Sequence, residues 1–283
     1  MPIATFLFLD GKVHRADQVF ISPNNRSFRY GDGFFETMKW KDGSIELGDY
    51  HFERLFASLE RLHFEWPTYF TRTYLEQQIK ELVKKNGHNK LARIRLTIFR
   101  GEGGLHETLN HYPHHLLQTW ELNPANNLLN ENGMLVDIYK DARKVCDGFS
   151  HLKSNNYLHY AMASIWAKEQ HLNEAILCNP YNRIADATIA NVFIVKDGLI
   201  KTPALSEGPV AGVMRRHIIT CLRNDLVPVE ETEITLEELF EASEIFLTNA
   251  IYGIRWVKQL GNQAFSNPMA VFLHKKYLKL NNY

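Results

Sequence analysis

Cysteine is scarce in this chain. Cys146, Cys178 and Cys221 are odd in number and far apart, so they form neither a disulfide framework nor a CxxC metal or redox spacing. They suit a reducing, cytoplasmic setting. Net charge is missing as well: 32 basic residues face 32 acidic ones, which leaves no footprint for nucleic acid or a membrane surface. No apolar run approaches a membrane span. The N-terminal "IATFLFL" is too short for a signal-peptide core with its flanks, and it runs into the Asp10-Gly11 turn signal. There is no internal repeat and no low-complexity segment. Tyr30-Gly31-Asp32-Gly33 lacks both GxGxxG and a following helix, so it is no dinucleotide fingerprint. Asn25-Arg26-Ser27 has the form of a glycosylation sequon, which carries no weight without a secretory signal. What remains is a globular chain, 45% hydrophobic and 23% charged, for which small-molecule chemistry is the natural expectation.

The 283 residues are enough for two modest domains. "ATFLFL" reads as a strand closed by Asp10-Gly11, and "GFFETMKW" and "SIEL" flank a hairpin signal at Lys41-Asp42-Gly43. From about Asp49, Phe52, Leu55, Phe56, Leu59 and Leu62 recur at helical spacing. "YLEQQIKELVKKNG" is a second helix, with two lysines and Gly87 at its C-terminus. "LARIRLTIF" and "HLLQTWEL" read as strands. "NPANNLLNENG", residues 123–133, holds five Asn, a Pro and a Gly, and is the best linker candidate. The expected division is an N-terminal α/β domain over 1–122 and a C-terminal domain over 134–283. In the latter, helices start near Gly212 and at Thr235, where Glu238 completes a capping-box signature, and "MAVFLHKKYLKL" closes the chain. Mixed α/β or α+β architecture follows.

The chemistry concentrates in "RIADATIANVFIVKDGLIKTPALSEGPVAGVMRRHII", residues 183–219. "NVFIV" and "LIKT" are strands joined at Lys196-Asp197-Gly198. A Pro/Gly loop then leads to a helix at Gly212. A helix that starts after such a loop presents unpaired N–H groups and a positive dipole end to a phosphate or carboxylate. Upstream, "SHLKSNNYL" places Lys153 among small polar residues ahead of an apolar helical pattern. On its own this is a solvated loop lysine. His106, His111, His114 and His115 form a His-rich stretch without a helical HxxxH pair or a carboxylate pattern, which reads as a polar loop and no metal site.

These segments resemble the class IV aminotransferase family, pyridoxal-phosphate enzymes with the two-domain D-amino-acid-aminotransferase-like fold. Its acid, Asn-aliphatic-aromatic strand, Thr-ended strand and Gly-aliphatic-x-Arg helix start match Asp186, Asn191-Val192-Phe193, Thr202 and Gly212-Val213-Met214-Arg215. "YGDGFFETMKW", "HFERLFASLERL", "RIRLTIFRG" and "EIFLTNAIYGIRWV" also fall in family order, so the resemblance covers nearly the whole chain.

The resemblance implies pyridoxal 5'-phosphate as cofactor, a small-molecule amino substrate and a homodimer. It implies that Lys153, in the pattern Lys153-Ser154-Asn155-Asn156, is the catalytic lysine that forms a Schiff base with the cofactor and then shuttles the substrate proton. It places Lys153 with the C-terminal domain. Asp186 falls where the family usually has Glu to pair with the pyridine nitrogen. Asp keeps the charge and is one methylene shorter. For the phosphate the resemblance implies Arg54, the backbone N–H groups of Val213 and Met214, and the Asn249-Ala250 turn, where some relatives carry Thr in place of Ala250. On the helix drawn from Phe52, Arg54 lies away from the apolar stripe and points either to solvent or to a layer carrying a ligand. Tyr30, Phe35 and Arg95 match pocket positions of the branched-chain enzymes. Arg93 and Arg95 share one strand face and need a counter-charge, which a substrate carboxylate or an ordinary ion pair supplies equally well. Arg100 is a third candidate.

Three details lean toward the aminodeoxychorismate lyases of the family: "RGEGG", "AGVMR" and "LTNAIYGIRWV". Branched-chain enzymes more often read Gly-Ile-Thr-Arg and Thr-Gly-Thr at the last two places. The D-amino-acid enzymes' Pro-Arg-x-His is missing after the Arg-Gly pair. The expectation is a lyase that releases pyruvate to give 4-aminobenzoate. A branched-chain or related aminotransferase is the alternative, and a catalytically degenerate cofactor binder is the third reading.

Overall fold

The computed structural model describes residues 5–107 and 110–278. The chain divides into two units, one of residues 1–124 with 153–156, the other of residues 125–152 with 157–283.

In the first unit, strands β1 (Phe6–Leu9) and β2 (Lys12–Arg15) lead to a short helix α1 (Arg26–Tyr30). Strands β3 (Gly33–Lys41) and β4 (Ser44–Ile45) follow, then helices α2 (Gly48–Arg61) and α3 (Arg72–Lys85), and strands β5 (Leu91–Phe99) and β6 (His114–Glu121). The sheet order is β2-β1-β6-β5-β3-β4. Asp42 and Gly43 turn the β3–β4 hairpin with positive φ, as the Asp-Gly pair predicts. Phe52, Leu55 and Leu59 of α2 are buried, and Phe56 and Leu62 pack partly buried against the same core. The side chain of Thr71 caps α3 by accepting from Tyr74 N–H. The core lies between these two helices and the alternate residues Phe34, Met38, Ile94, Leu96 and Ile98 of the sheet.

The expected polar histidine loop is in part a strand. His114 pairs with Phe99 and His115 with Ile98, because the long strand β5 needs backbone partners along its whole length. His115 is buried with Nε2 2.9 Å from Gln78 Oε1, and His114 Nδ1 lies 2.8 Å from Asp10 Oδ2.

The second unit runs β7 (Met134–Tyr139), α4 (Leu158–Glu169), β8 (Glu174–Cys178), β9 (Ile184–Ala187), β10 (Asn191–Lys196) and β11 (Leu199–Pro203). It continues with α5 (Val213–Asn224), β12 (Val229–Thr232), α6 (Leu236–Glu241), β13 (Glu244–Asn249), β14 (Gly253–Leu260), β15 (Gln263–Ala264) and α7 (Pro268–Leu273). The sheet order is β12-β11-β10-β13-β14-β7-β8-β9, with β15 on β14. This sheet curls until β9 comes beside β10 and β11. Thr235 and Glu238 form the reciprocal capping box at the start of α6. Most of the segment expected to be a linker is fastened to this unit. Asn130 bonds both the N–H and the C=O of Trp256 at 3.0 Å, and Arg255 donates to the carbonyls of Asn126 and Leu128. The Asn130 amide does the work of a strand partner, and the division falls between Pro124 and Ala125. No described helix is long and apolar enough to cross a membrane.

Candidate active site

Lys153 is placed by a gap in the first sheet. The short strand β4 covers only Trp40 and Lys41 of β3, which leaves the Gly33–Phe35 edge open. Residues 153–155 fill it: Phe35 N–H donates to Lys153 C=O at 2.9 Å and Asn155 N–H to Gly33 C=O at 3.0 Å, around a bridge between Phe34 and Ser154. Asn155 Nδ2 also donates to Ser27 Oγ at 2.9 Å. Gly31, at φ 68°, lies so near that a Cβ would run into Asn156 Oδ1. Lys153 is therefore fixed to β3 of the first unit, whereas the resemblance had assigned it to the C-terminal domain.

Its ammonium nitrogen lies 4.8 Å from the centroid of the buried Phe35 ring, and the guanidinium carbon of Arg95 is 3.8 Å from the same ring. Thr37 is the cross-strand partner of Arg95, so Phe35 and Arg95 are diagonal neighbours on one face of the sheet. Arg95 Nε also donates to Thr97 Oγ1 at 3.3 Å. Arg93 stands on the ring of Trp120 at 5.2 Å. Tyr30, half-buried on α1, has Arg26 and Arg29 over its ring at 5.4 and 4.9 Å. Arg100 has a structural task, with its nitrogens on Asp32, on the carbonyls of Leu62 and His63, and on His111.

Arg54 is partly exposed on α2, and one edge of its guanidinium is held by an acid. Its Nε and Nη2 grip Glu36 at 2.7 and 2.6 Å, and His51 Nδ1 lies 2.7 Å from the same carboxylate. Burial pushes the Glu36 carboxyl up, but the Arg54 guanidinium and the His51 bond outweigh it and hold the pKa at about 2. Burial pushes the His51 imidazole down, against the raising effect of Glu36. Its buried Nε2 has no hydrogen-bond partner among the described residues. Fixed bidentately, Arg54 keeps one orientation, which suits a guanidinium that must meet an anion.

In the second unit Asp186 is 2% exposed on β9. Its Oδ2 accepts from the Val210 N–H at 2.9 Å and from Tyr160 Oη at 3.1 Å, and its Oδ1 from Asn191 Nδ2 at 3.1 Å. Burial together with the Asp186 charge drives the Tyr160 phenol well above its usual pKa, so it stays protonated and donates. Lys144 is buried nearby, donates to Ser150 C=O at 2.9 Å and lies 5.9 Å from the Tyr160 ring. Burial lowers its pKa while Asp186 opposes the fall.

Val213 and Met214 open α5 behind the N-cap Gly212, and no side chain caps this end. The first N–H groups of a helix have no intrahelical acceptor, so this end offers donors to an anion. Gly212 is required for close approach, since a Cβ there would strike Asn191 Oδ1. Asn249 closes its turn with its own side chain: Oδ1 accepts from Ile251 N–H at 2.9 Å and Tyr252 N–H at 3.1 Å, and Nδ2 donates to Ile189 C=O. Ala250 follows inside that turn. No group of three metal-ligating side chains occurs among the described residues.

Sequence reasoning missed Glu36, His51, Tyr160 and Lys144. For Glu36 a signal existed, an acid inside the apolar strand "GFFETMKW", which calls for a buried partner. Lys144 and Tyr160 carry none, since their neighbours arrive only with the tertiary fold.

The family model "Amino-transferase class IV" matches residues 33–260. An aminodeoxychorismate lyase of Vibrio harveyi is 29% identical over 254 residues, 86% of this chain and 88% of that protein. A putative branched-chain-amino-acid aminotransferase of Methanocaldococcus jannaschii is 28% identical over 273 residues, 95% of this chain and 93% of that one. Among solved structures, the branched-chain aminotransferase of Thermoproteus uzoniensis superposes with a TM-score of 0.86 at 23% identity, over 96% of this chain and 93% of that one. The chain belongs to the class IV aminotransferases, a pyridoxal-phosphate-dependent family that includes lyases as well as transaminases.

Proposed function

We propose that the chain binds pyridoxal 5'-phosphate and acts as an aminodeoxychorismate lyase, releasing pyruvate to leave 4-aminobenzoate. The side chains fit the cofactor. Lys153 stands beside an aromatic ring, a buried acid is held by three donors, and a glycine-led helix start is left uncapped. The bound cofactor supplies an electron sink for the bond-breaking step. Lys153 takes the proton from the substrate carbon that bears the amine. Asp186 keeps a proton on the ring nitrogen as its hydrogen-bond acceptor. Arg54 and the N–H groups of Val213 and Met214 hold the phosphate, and Arg95 meets a substrate carboxylate.

The observation that carries the lyase reading is the Asn249-Ala250 turn. Asn249 builds it with three side-chain hydrogen bonds, in a block that resembles the lyases' Asn-Ala and differs from the Gly-Thr of branched-chain enzymes. The second reading, an aminotransferase for an α-amino acid, draws on Arg95 stacked on Phe35, a geometry equally suited to that substrate's carboxylate.

The test is the visible spectrum of the cofactor-loaded protein before and after L-glutamate, followed by pyruvate release from aminodeoxychorismate. A spectrum unmoved by glutamate, together with pyruvate formation that Lys153→Ala abolishes, supports the lyase. Conversion to the pyridoxamine form by glutamate sinks it in favour of the aminotransferase. A degenerate binder would load cofactor through Lys153 and turn over neither substrate.

A further inference from the structure

Thr248 is the last buried residue of β13, fully shielded from solvent, and its Oγ1 has no hydrogen-bond partner among the described residues. A buried hydroxyl left in that condition is costly, and most such groups in folded proteins find an acceptor or a donor. The register of the sheet shows what lies next to it. Thr248 pairs directly with Asn191 across β13 and β10, so their side chains leave the sheet on the same face. The Asn191 amide reaches Asp186 and the Val210 carbonyl, and its Oδ1 abuts Gly212. Phe246, two residues before Thr248 and on the same face, stacks on Phe193 at 5.0 Å, and α5 packs on β13. The unsatisfied hydroxyl therefore lies on the sheet face that carries the start of α5, a twelve-residue helix whose N-terminus no side chain caps.

We infer that Thr248 is a phosphate ligand, its hydroxyl donating to an oxygen of a phosphate ester seated at the N-terminus of α5. A phosphate there supplies what each group lacks: an acceptor for Oγ1, and a negative charge for the N–H groups of Val213 and Met214. Ala250, the position where relatives carry a threonine, has no hydroxyl, so Thr248 provides it from within the strand. This inference rests on the reading that pyridoxal 5'-phosphate is the cofactor.

The experiment compares equilibrium binding of pyridoxal 5'-phosphate and of pyridoxal, which lacks the phosphate, to cofactor-free wild type, Thr248→Val and Thr248→Ser. Valine is close to isosteric and removes a buried hydroxyl without a partner, so the melting temperature of the cofactor-free variant is expected to hold or rise. Affinity for pyridoxal 5'-phosphate is expected to fall about tenfold in Thr248→Val and to survive in Thr248→Ser, with pyridoxal unchanged in both. Equal pyridoxal 5'-phosphate affinity in wild type and Thr248→Val overturns the inference and leaves the cofactor reading intact. So does a parallel loss for both ligands. A wild type that binds the two ligands alike, or neither, overturns the cofactor reading and this inference with it.

Discussion

Tyr160 on α4 donates its hydroxyl proton to Oδ2 of Asp186 on β9 across 3.1 Å, which ties the short acid to the helix beside it. Tyr160→Phe leaves the Val210 and Asn191 donors in place and removes one hydrogen bond to the buried carboxylate. Unfolding in urea is expected to show a loss of about 1.5–3 kcal/mol. A variant as stable as wild type would limit Tyr160 to a packing role.

Lys144 is a buried lysine whose Nζ donates to the Ser150 carbonyl, and it depresses His159. Burial first, and then the Lys144 charge, hold the His159 imidazole at about 4. Lys144→Met removes the charge and its desolvation cost together. The His159 pKa is expected to rise when followed by proton NMR, and the melting temperature to stay level or increase. A His159 titration identical to wild type would contradict this.

Glu36 is where stability depends on acid. Its folded pKa of about 2 lies below the ordinary 4.5, so its contribution is full above pH 4.5 and fades as pH falls toward 2. Glu36→Gln strands the partly buried Arg54 and is expected to cost about 3–5 kcal/mol at neutral pH. The gap between variant and wild type should close on acidification through that window, measured by denaturant unfolding at several pH values. A constant gap would show that the charge on Glu36 is not what matters.

Arg95 lies against Phe35 with Lys153 on the same ring. If it takes a substrate carboxylate, Arg95→Met raises KM for the substrate that proves active by about tenfold to a hundredfold, with a smaller change in kcat. Arg95→Lys recovers only part of the loss, since an ammonium lacks the bidentate fork. Steady-state kinetics of the two variants decide it; a KM like that of wild type in Arg95→Met assigns the arginine to the strand alone.

Most elements were legible because their signals are local. The α2 stripe from Phe52 to Leu59, the turns at Asp42-Gly43 and Asp197-Gly198, and the capping box at Thr235 and Glu238 each depend on residues a few positions apart. The strand begins one residue before the stretch read as "HLLQTWEL", at His114, for the opposite reason: what makes His114 a strand residue is its pairing with Phe99 of β5, and no short-range pattern announces that pairing. In the asparagine-rich segment, likewise, no short-range pattern announces that Asn130 finds its partner at Trp256, distant in the chain.

By itself the sequence determined the helix and strand pattern and the strand–loop–helix leading to Gly212. It also determined a lysine motif and an acid spaced along the chain in the family's order. These are matters of period, turn chemistry and spacing, which the chain carries whatever its neighbours do. Only the tertiary structure decided that Arg54 is locked by Glu36, that Asp186 is held by Tyr160, and that Thr248 lies beside Asn191 with its hydroxyl unpaired. Each of these depends on which strands lie side by side and in which register, because a hydrogen bond between distant residues exists only once the backbone has brought them within about 3 Å.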